Sequence, residues 1–157
     1  MFALARALTY ATLFIGVVLL FVPAQILTWS GINRPEAPGP VEWTGVVIGA
    51  LGAGLAVWCI LAFAVLGRGT PAPFDPPRHL VVRGPYRYVR NPMYVGAGTA
   101  LAGAALFYRS PWLLGYVVLF AAITHAFVVR YEEPTLRRLF GQEYETYCRA
   151  MRRWWPG

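Results

Sequence analysis

The sequence predicts an all-α, polytopic membrane protein with about four transmembrane helices and a C-terminal amphipathic helix, and three observations predict it. Hydrophobic residues make up 57% of the 157 and charged residues 13%, at a mean hydropathy of +0.49, which leaves too few polar side chains to coat a soluble globule of this size. The apolar residues gather into four runs, at about 7–29, 43–66, 92–108 and 111–130. The polar residues concentrate in one loop, about 67–91, and one tail, about 131–157, so the chain reads as a single integral-membrane domain.

The first run, 7–29, extends about 34 Å as a helix at ~1.5 Å per residue, enough to cross the hydrocarbon core. A cleaved signal peptide is the competing reading, but the run is long for one and ends without a small-x-small site. A Pro/Gly-rich loop at 30–40 leads to the second run, whose Gly45, Gly49, Gly52 and Gly54 allow close helix approach. The loop at 67–91 contains too much proline for a regular helix over most of its length and belongs at a membrane surface. Its Gly67-Arg68-Gly69 triplet reads as a helix C-cap, and no dinucleotide or P-loop fingerprint is present.

The third run is rich in small residues, and Asn91-Pro92 opens it with a side-chain cap followed by proline at the first helical position. Arg109-Ser110 is then a minimal turn, with Ser110 as cap and Pro111 opening the fourth run. So short a turn forces an antiparallel hairpin. The start of the third run and the end of the fourth therefore share a membrane face, which brings Asn91, Pro92, Met93 and Tyr94 near Arg130, Tyr131, Glu132 and Glu133. In the tail, Leu136, Leu139, Phe140, Tyr144, Tyr147, Cys148 and Met151 recur at three- and four-residue steps, the pattern of an amphipathic helix lying flat on the leaflet.

Net charge is +7, and every basic residue is arginine. With four spans, the N-terminus, the 67–91 loop and the tail share one side, and only Arg34 and Arg109 fall on the other. By the positive-inside rule both termini are cytoplasmic, as in a bacterial inner membrane. The arginines flank apolar spans and form no recognised basic domain, which argues against nucleic acid. Cys59 and Cys148 have no metal-type spacing and read as structural, and no metal is expected.

The chemistry concentrates in 83–96, where Arg83, Arg87, Arg90, Tyr86, Tyr88 and Tyr94 crowd the approach to a helix N-terminus. Such an end suits a carboxylate or phosphate; lipid headgroups are the plainer ligand. Glu132-Glu133 at the end of a span is costly beside an anionic leaflet unless a cation compensates. Arg130 or Arg137 supplies one in an ion-paired helix terminus. In the other reading, a glutamate holds a ligand ammonium while the helix start and loop arginines hold its carboxylate. His125, inside a span, reads as a neutral imidazole bonded to a neighbouring helix.

Gly84-Pro85-Tyr86, Arg90-Asn91-Pro92-Met93-Tyr94, the hairpin, Glu132-Glu133 and Phe140-Gly141-Gln142-Glu143-Tyr144 together resemble the integral-membrane methyltransferases that include isoprenylcysteine carboxyl methyltransferase and phosphatidylethanolamine N-methyltransferase. The resemblance covers the second half of the chain. It implies S-adenosylmethionine bound without a Rossmann fold, by Arg78, His79, Leu80, Val81, Tyr86, Asn91, Pro92, Met93 and Tyr94, with Glu132 reaching across from span four. It also implies methyl transfer to a lipid or other amphiphilic acceptor from the bilayer, with Glu132 or Glu133 as candidate base and Arg90 and Arg130 as candidate substrate ligands. Two departures point away from a prenylcysteine carboxylate and toward a lipid amine. The carboxyl enzymes have His where this chain has Asn91, and Arg where it has Val128. The competing functions are carboxyl O-methylation, a nicotinamide-dependent reductase of related core, and a non-catalytic lipid-binding protein.

Overall fold

The computed structural model describes residues 15–62, 65 and 79–156, and among these the regular structure is entirely helical. Helix α1 opens with a π-helical segment, Ile15–Phe21, and continues as Val22–Ser30. Helix α2 is Pro40–Ala62, a 3-10 turn covers Gly84–Arg87, and α3 is Pro92–Phe107. Helix α4, Pro111–Phe127, passes through a π-helical turn, Val128–Glu132, into α5, Glu133–Phe140; α6, Gln142–Ala150, follows. The expectations for 7–14, for Arg78 and for the Gly67-Arg68-Gly69 triplet lie outside the described residues.

Two stretches, Pro40–Ala62 and Pro111–Phe140, are long and apolar enough to cross a bilayer, at mean hydropathies of 2.2 and 2.1. Only 28% and 22% of their most apolar windows are buried against the rest of the chain. A core helix of a soluble protein would be mostly buried, so these surfaces suit lipid. Gly16–Ser30 and Pro92–Phe107 are shorter apolar helices.

The closest packing joins α2 to α3, antiparallel, along a seam of small residues. A Cβ on Gly45 would lie 2.6 Å from the Phe107 backbone nitrogen, and one on Gly96 would lie 2.8 Å from that of Ala56. The seam follows from the glycines foreseen at 45, 49 and 52, whereas a Cβ on Gly54 would meet nothing within 4 Å. Gly103→Ala, whose new methyl would run into the backbone of Gly49, is expected to destabilise by about 1–3 kcal/mol through overpacking. Gly54→Ala adds the same methyl in open space and should be neutral or stabilising, since Ala is the better helix former. Thermal unfolding of the two variants in detergent checks the pair; equal melting temperatures would refute the seam.

At the other end of the bundle, Ser110 Oγ accepts from the Leu113 amide at 3.2 Å, as its cap position requires. Glu42, buried at the start of α2, pairs with Arg109 in the turn and accepts from the Gly39 amide at 2.9 Å. This clamp fixes α2 alongside the α3–α4 hairpin. The C-terminal end of α2, the start of α3 and the end of α4 thus meet at one face. Tyr116 donates to the Val18 carbonyl at 3.0 Å, and Val18 and Leu19 pack on Ala97, Leu101 and Phe120, which ties α1 to the hairpin.

The tail is where the structure adds to the sequence. The helix that begins at Pro111 does not end at Arg130 but runs through the π turn as far as Phe140. The single amphipathic helix is two short helices broken at Gly141, whose φ of 49° favours glycine. The tail also folds across the end of the bundle. The Arg90 amide donates to the Arg152 carbonyl at 2.9 Å, Tyr147 to the Tyr86 carbonyl at 2.6 Å, and Trp154 Nε1 to His125 Nδ1 at 3.1 Å. The tyrosines read as a lipid-facing stripe are buried against protein.

Candidate active site

Where the bundle end, the 79–91 segment and the tail converge, a cavity of about 40 Å³ is enclosed. Leu80, Val81, Tyr86, Arg90, Asn91, Met93 and Tyr94 line it from the segment and the start of α3; Val128, Glu132, Glu133 and Leu136 line it from the π turn and α5; and Tyr144 and Tyr147 line it from α6. Most of the residues expected at the site are therefore brought together. Pro92 is fully buried behind the wall. His79 is exposed and does not reach the cavity, and neither does Arg130. Arg130, in the same π turn as Val128 and Glu132, is exposed where Val128 is buried, so it faces outward.

The two adjacent glutamates have different surroundings. Glu133 is buried and bridged by arginines: Arg153 Nε and Nη2 donate at 2.7 and 3.0 Å, and Arg90 Nη1 at 3.0 Å. Arg137 stands farther off, at 3.9 Å. The hydrogen bond to Glu133 in turn raises the Arg153 pKa. Glu132 instead accepts one hydrogen bond, from the Tyr94 hydroxyl at 3.2 Å, and among the described residues no basic side chain pairs with it. The ion-paired terminus expected from the sequence is found at Glu133, whereas Glu132 has no arginine partner among the described residues.

Arg90 also contacts Cys148 Sγ through Nη1 at 2.9 Å, while its Nε is buried without a hydrogen-bond partner. Asn91 does not cap α3 with its side chain. Its amide donates instead to the Arg153 carbonyl at 3.3 Å, which pins the tail beside the helix start. Tyr86 is hydrogen-bonded to Cys59 through its side chain, and burial pushes its phenol well above the ordinary range, helped by Cys59 and Glu132. Burial likewise raises Tyr144 and Tyr147. All three phenols therefore stay protonated and act as neutral hydrogen-bonding walls.

Four wall and brace residues were missed in the sequence. Leu136, Tyr144 and Tyr147 were read only as an apolar helix stripe, and Arg153 was given no part in the site. Val128, noted for lacking an arginine, is fully buried and forms part of the wall. His125 accepts at Nδ1 from Trp154 of the tail rather than bonding a neighbouring helix. Among the described residues no group of three or more His, Cys, Asp and Glu is placed to share an ion.

Comparison with characterised proteins and with solved structures gave no match. A family model described as phospholipid methyltransferase matches residues 41–143. The matched segment carries α2, the hairpin and both glutamates, and stops one residue short of Tyr144. Because it spans about two thirds of the chain and includes the elements that build the cavity, this protein belongs to the phospholipid methyltransferase family.

Proposed function

We propose that the protein transfers a methyl group from S-adenosylmethionine to a lipid amine or similar amphiphile, at the cytoplasmic end of a four-span bundle. The observation that carries this reading is the contrast between the glutamates: Glu133 has its arginines, whereas Glu132 lines the cavity with a tyrosine and no cation among the described residues. A sequestered carboxylate in that state suits a ligand ammonium. Arg90 Nε, a buried donor without a partner, suits a ligand oxygen anion. S-adenosylmethionine has both groups, and its sulfonium supplies the electrophilic methyl.

The chain's contribution is alignment and exclusion of water, which is what displacement at a methyl carbon needs. Val81, Met93, Val128 and Leu136 provide dry walls. The acceptor nitrogen forms its bond to carbon as the carbon–sulfur bond breaks, and the pair of electrons leaves on sulfur. The acceptor's proton goes to Glu132 or to water beside it, because Glu133 is held as a carboxylate by two guanidinium groups. An amine suits the apolar Val128 wall, which offers no cation of its own; the guanidinium that lines the cavity is Arg90, already assigned to the cofactor's carboxylate. At about 40 Å³ the cavity has room for little more than a water molecule. A nucleoside therefore requires the lining to rearrange.

Calorimetry on detergent-purified protein, with S-adenosylmethionine and separately with NADPH, tests the cofactor, and vesicles of phosphatidylethanolamine beside a farnesylcysteine analogue test the acceptor. Binding of S-adenosylmethionine alone and base-stable methylation of the amine lipid are expected. NADPH binding, or base-labile ester formation on the farnesylcysteine analogue, would overturn the proposal.

A further inference from the structure

Tyr94 is the wall between the polar cavity and a second hollow of about 440 Å³. The second hollow is bounded by Gly98 and Ala102 of α3, Val117 and Ala121 of α4, and Trp154 of the tail beside His125. It exists because small residues at 98, 102 and 121 leave the space between the helices unfilled. Its volume is in the range of sites that enclose a small organic ligand, about 300–1,000 Å³.

The lining chemistry says what kind of ligand. Among the described residues no formally charged side chain borders the hollow. Its two threonine hydroxyls are engaged by their own helix: Thr99 donates to the Val95 carbonyl at 2.8 Å and Thr124 to that of Phe120 at 2.8 Å. Neither hydroxyl is therefore left seeking a partner. The His125 acceptor and the Trp154 donor satisfy each other at 3.1 Å. A headgroup would find little to bond, whereas a hydrocarbon chain would find close-packed apolar walls. From Tyr94 to Ala102 the hollow follows two turns of α3, about 12 Å at ~1.5 Å per residue.

We propose that this hollow seats one hydrocarbon chain of the methyl acceptor, placing the headgroup past Tyr94 at Glu132. The proposal rests on the reading of the site as a lipid methyltransferase. It adds that acceptor choice is set by a groove whose width is fixed by Gly98, Ala102 and Ala121.

Reconstitution into vesicles of phosphatidylethanolamine bearing a diazirine on one acyl chain, followed by photolysis and mapping of adducts by mass spectrometry, tests it. Adducts should concentrate on Gly98, Ala102, Val117 and Ala121, well above Val46, Val47 and Leu51 of α2 and Val118 and Ile123 of α4, which are exposed apolar residues outside the hollow. Gly98→Phe, at a position where a Cβ would make only ordinary contact with Phe120 at 3.7 Å, should abolish that excess without lowering the melting temperature. Ala121→Leu, which narrows the groove more gently, should reduce it. Labelling spread evenly over both surfaces, or an excess that survives both variants, would mean annular lipid only and overturn the proposal. The labelling requires no methyl transfer, so an inactive protein would count against the methyltransferase reading while adduct positions still decide the groove.

Discussion

Glu133→Gln is expected to lower the melting temperature of the ligand-free protein by roughly 6–12 °C, corresponding to about 3 kcal/mol at ~2–4 °C per kcal/mol for a chain of this size. The substitution keeps the shape of the side chain and removes its charge. Arg90, with only 12% of its side chain exposed, then has an uncompensated guanidinium that cannot turn to water. Removing one member of a buried pair is costly for this reason, even where the intact pair contributes little. Arg153 is less constrained, at 31% exposed, but its release also loosens the carbonyl that receives the Asn91 amide. Arg137→Ala is the contrast: at 3.9 Å and 47% exposed its loss should cost less than about 1 kcal/mol. Thermal unfolding of both variants decides the point. A melting temperature for Glu133→Gln within a degree or two of the parent would show that the arginines do not depend on it.

What could be read from the sequence was what local chemistry decides. Ser110-Pro111 announces a helix start through its own side chain and ring, and the short turn before it dictates the hairpin. Gly45, Gly49 and Gly52 stand out in an apolar helix because nothing but close backbone approach favours them there. The site resisted where the deciding partner is remote in sequence. Glu132 and Glu133 are indistinguishable as letters, and what separates them is Arg153, twenty residues on, placed by a tail that folds back. The same fold-back explains Asn91: an asparagine before a proline helix start is a cap by local rule, yet its amide is taken by a tail carbonyl. Periodicity carried straight across Gly141, since the apolar positions on either side stay nearly in phase, and so two helices read as one. The π turn at Val128–Glu132 contains no Gly or Pro itself; its mark is Pro134 just beyond, which cannot donate to the Arg130 carbonyl. The turn's consequence for the site is the orientation of adjacent side chains, which a regular helix would have set differently.

Glu132→Gln is expected to weaken S-adenosylmethionine binding about ten- to a hundredfold, the equivalent of ~1.5–3 kcal/mol for a lost charge-assisted hydrogen bond. It should leave the melting temperature of the ligand-free protein unchanged or slightly raised. The two halves of this expectation come from one feature: among the described residues Glu132 has a tyrosine partner and no cation. A carboxylate sequestered without a counter-charge does not stabilise the fold, and glutamine can still accept the Tyr94 hydrogen bond. Its charge matters only once a ligand brings an ammonium. The isosteric neutralisation of neighbouring residues should therefore give opposite signatures, with Glu133→Gln unfolding early and Glu132→Gln folding well and binding poorly. Calorimetry and thermal unfolding on the same detergent-purified variant separate the roles. Unchanged cofactor affinity together with a lowered melting temperature would make Glu132 a second structural carboxylate, and the cavity would then have no group to receive the ammonium.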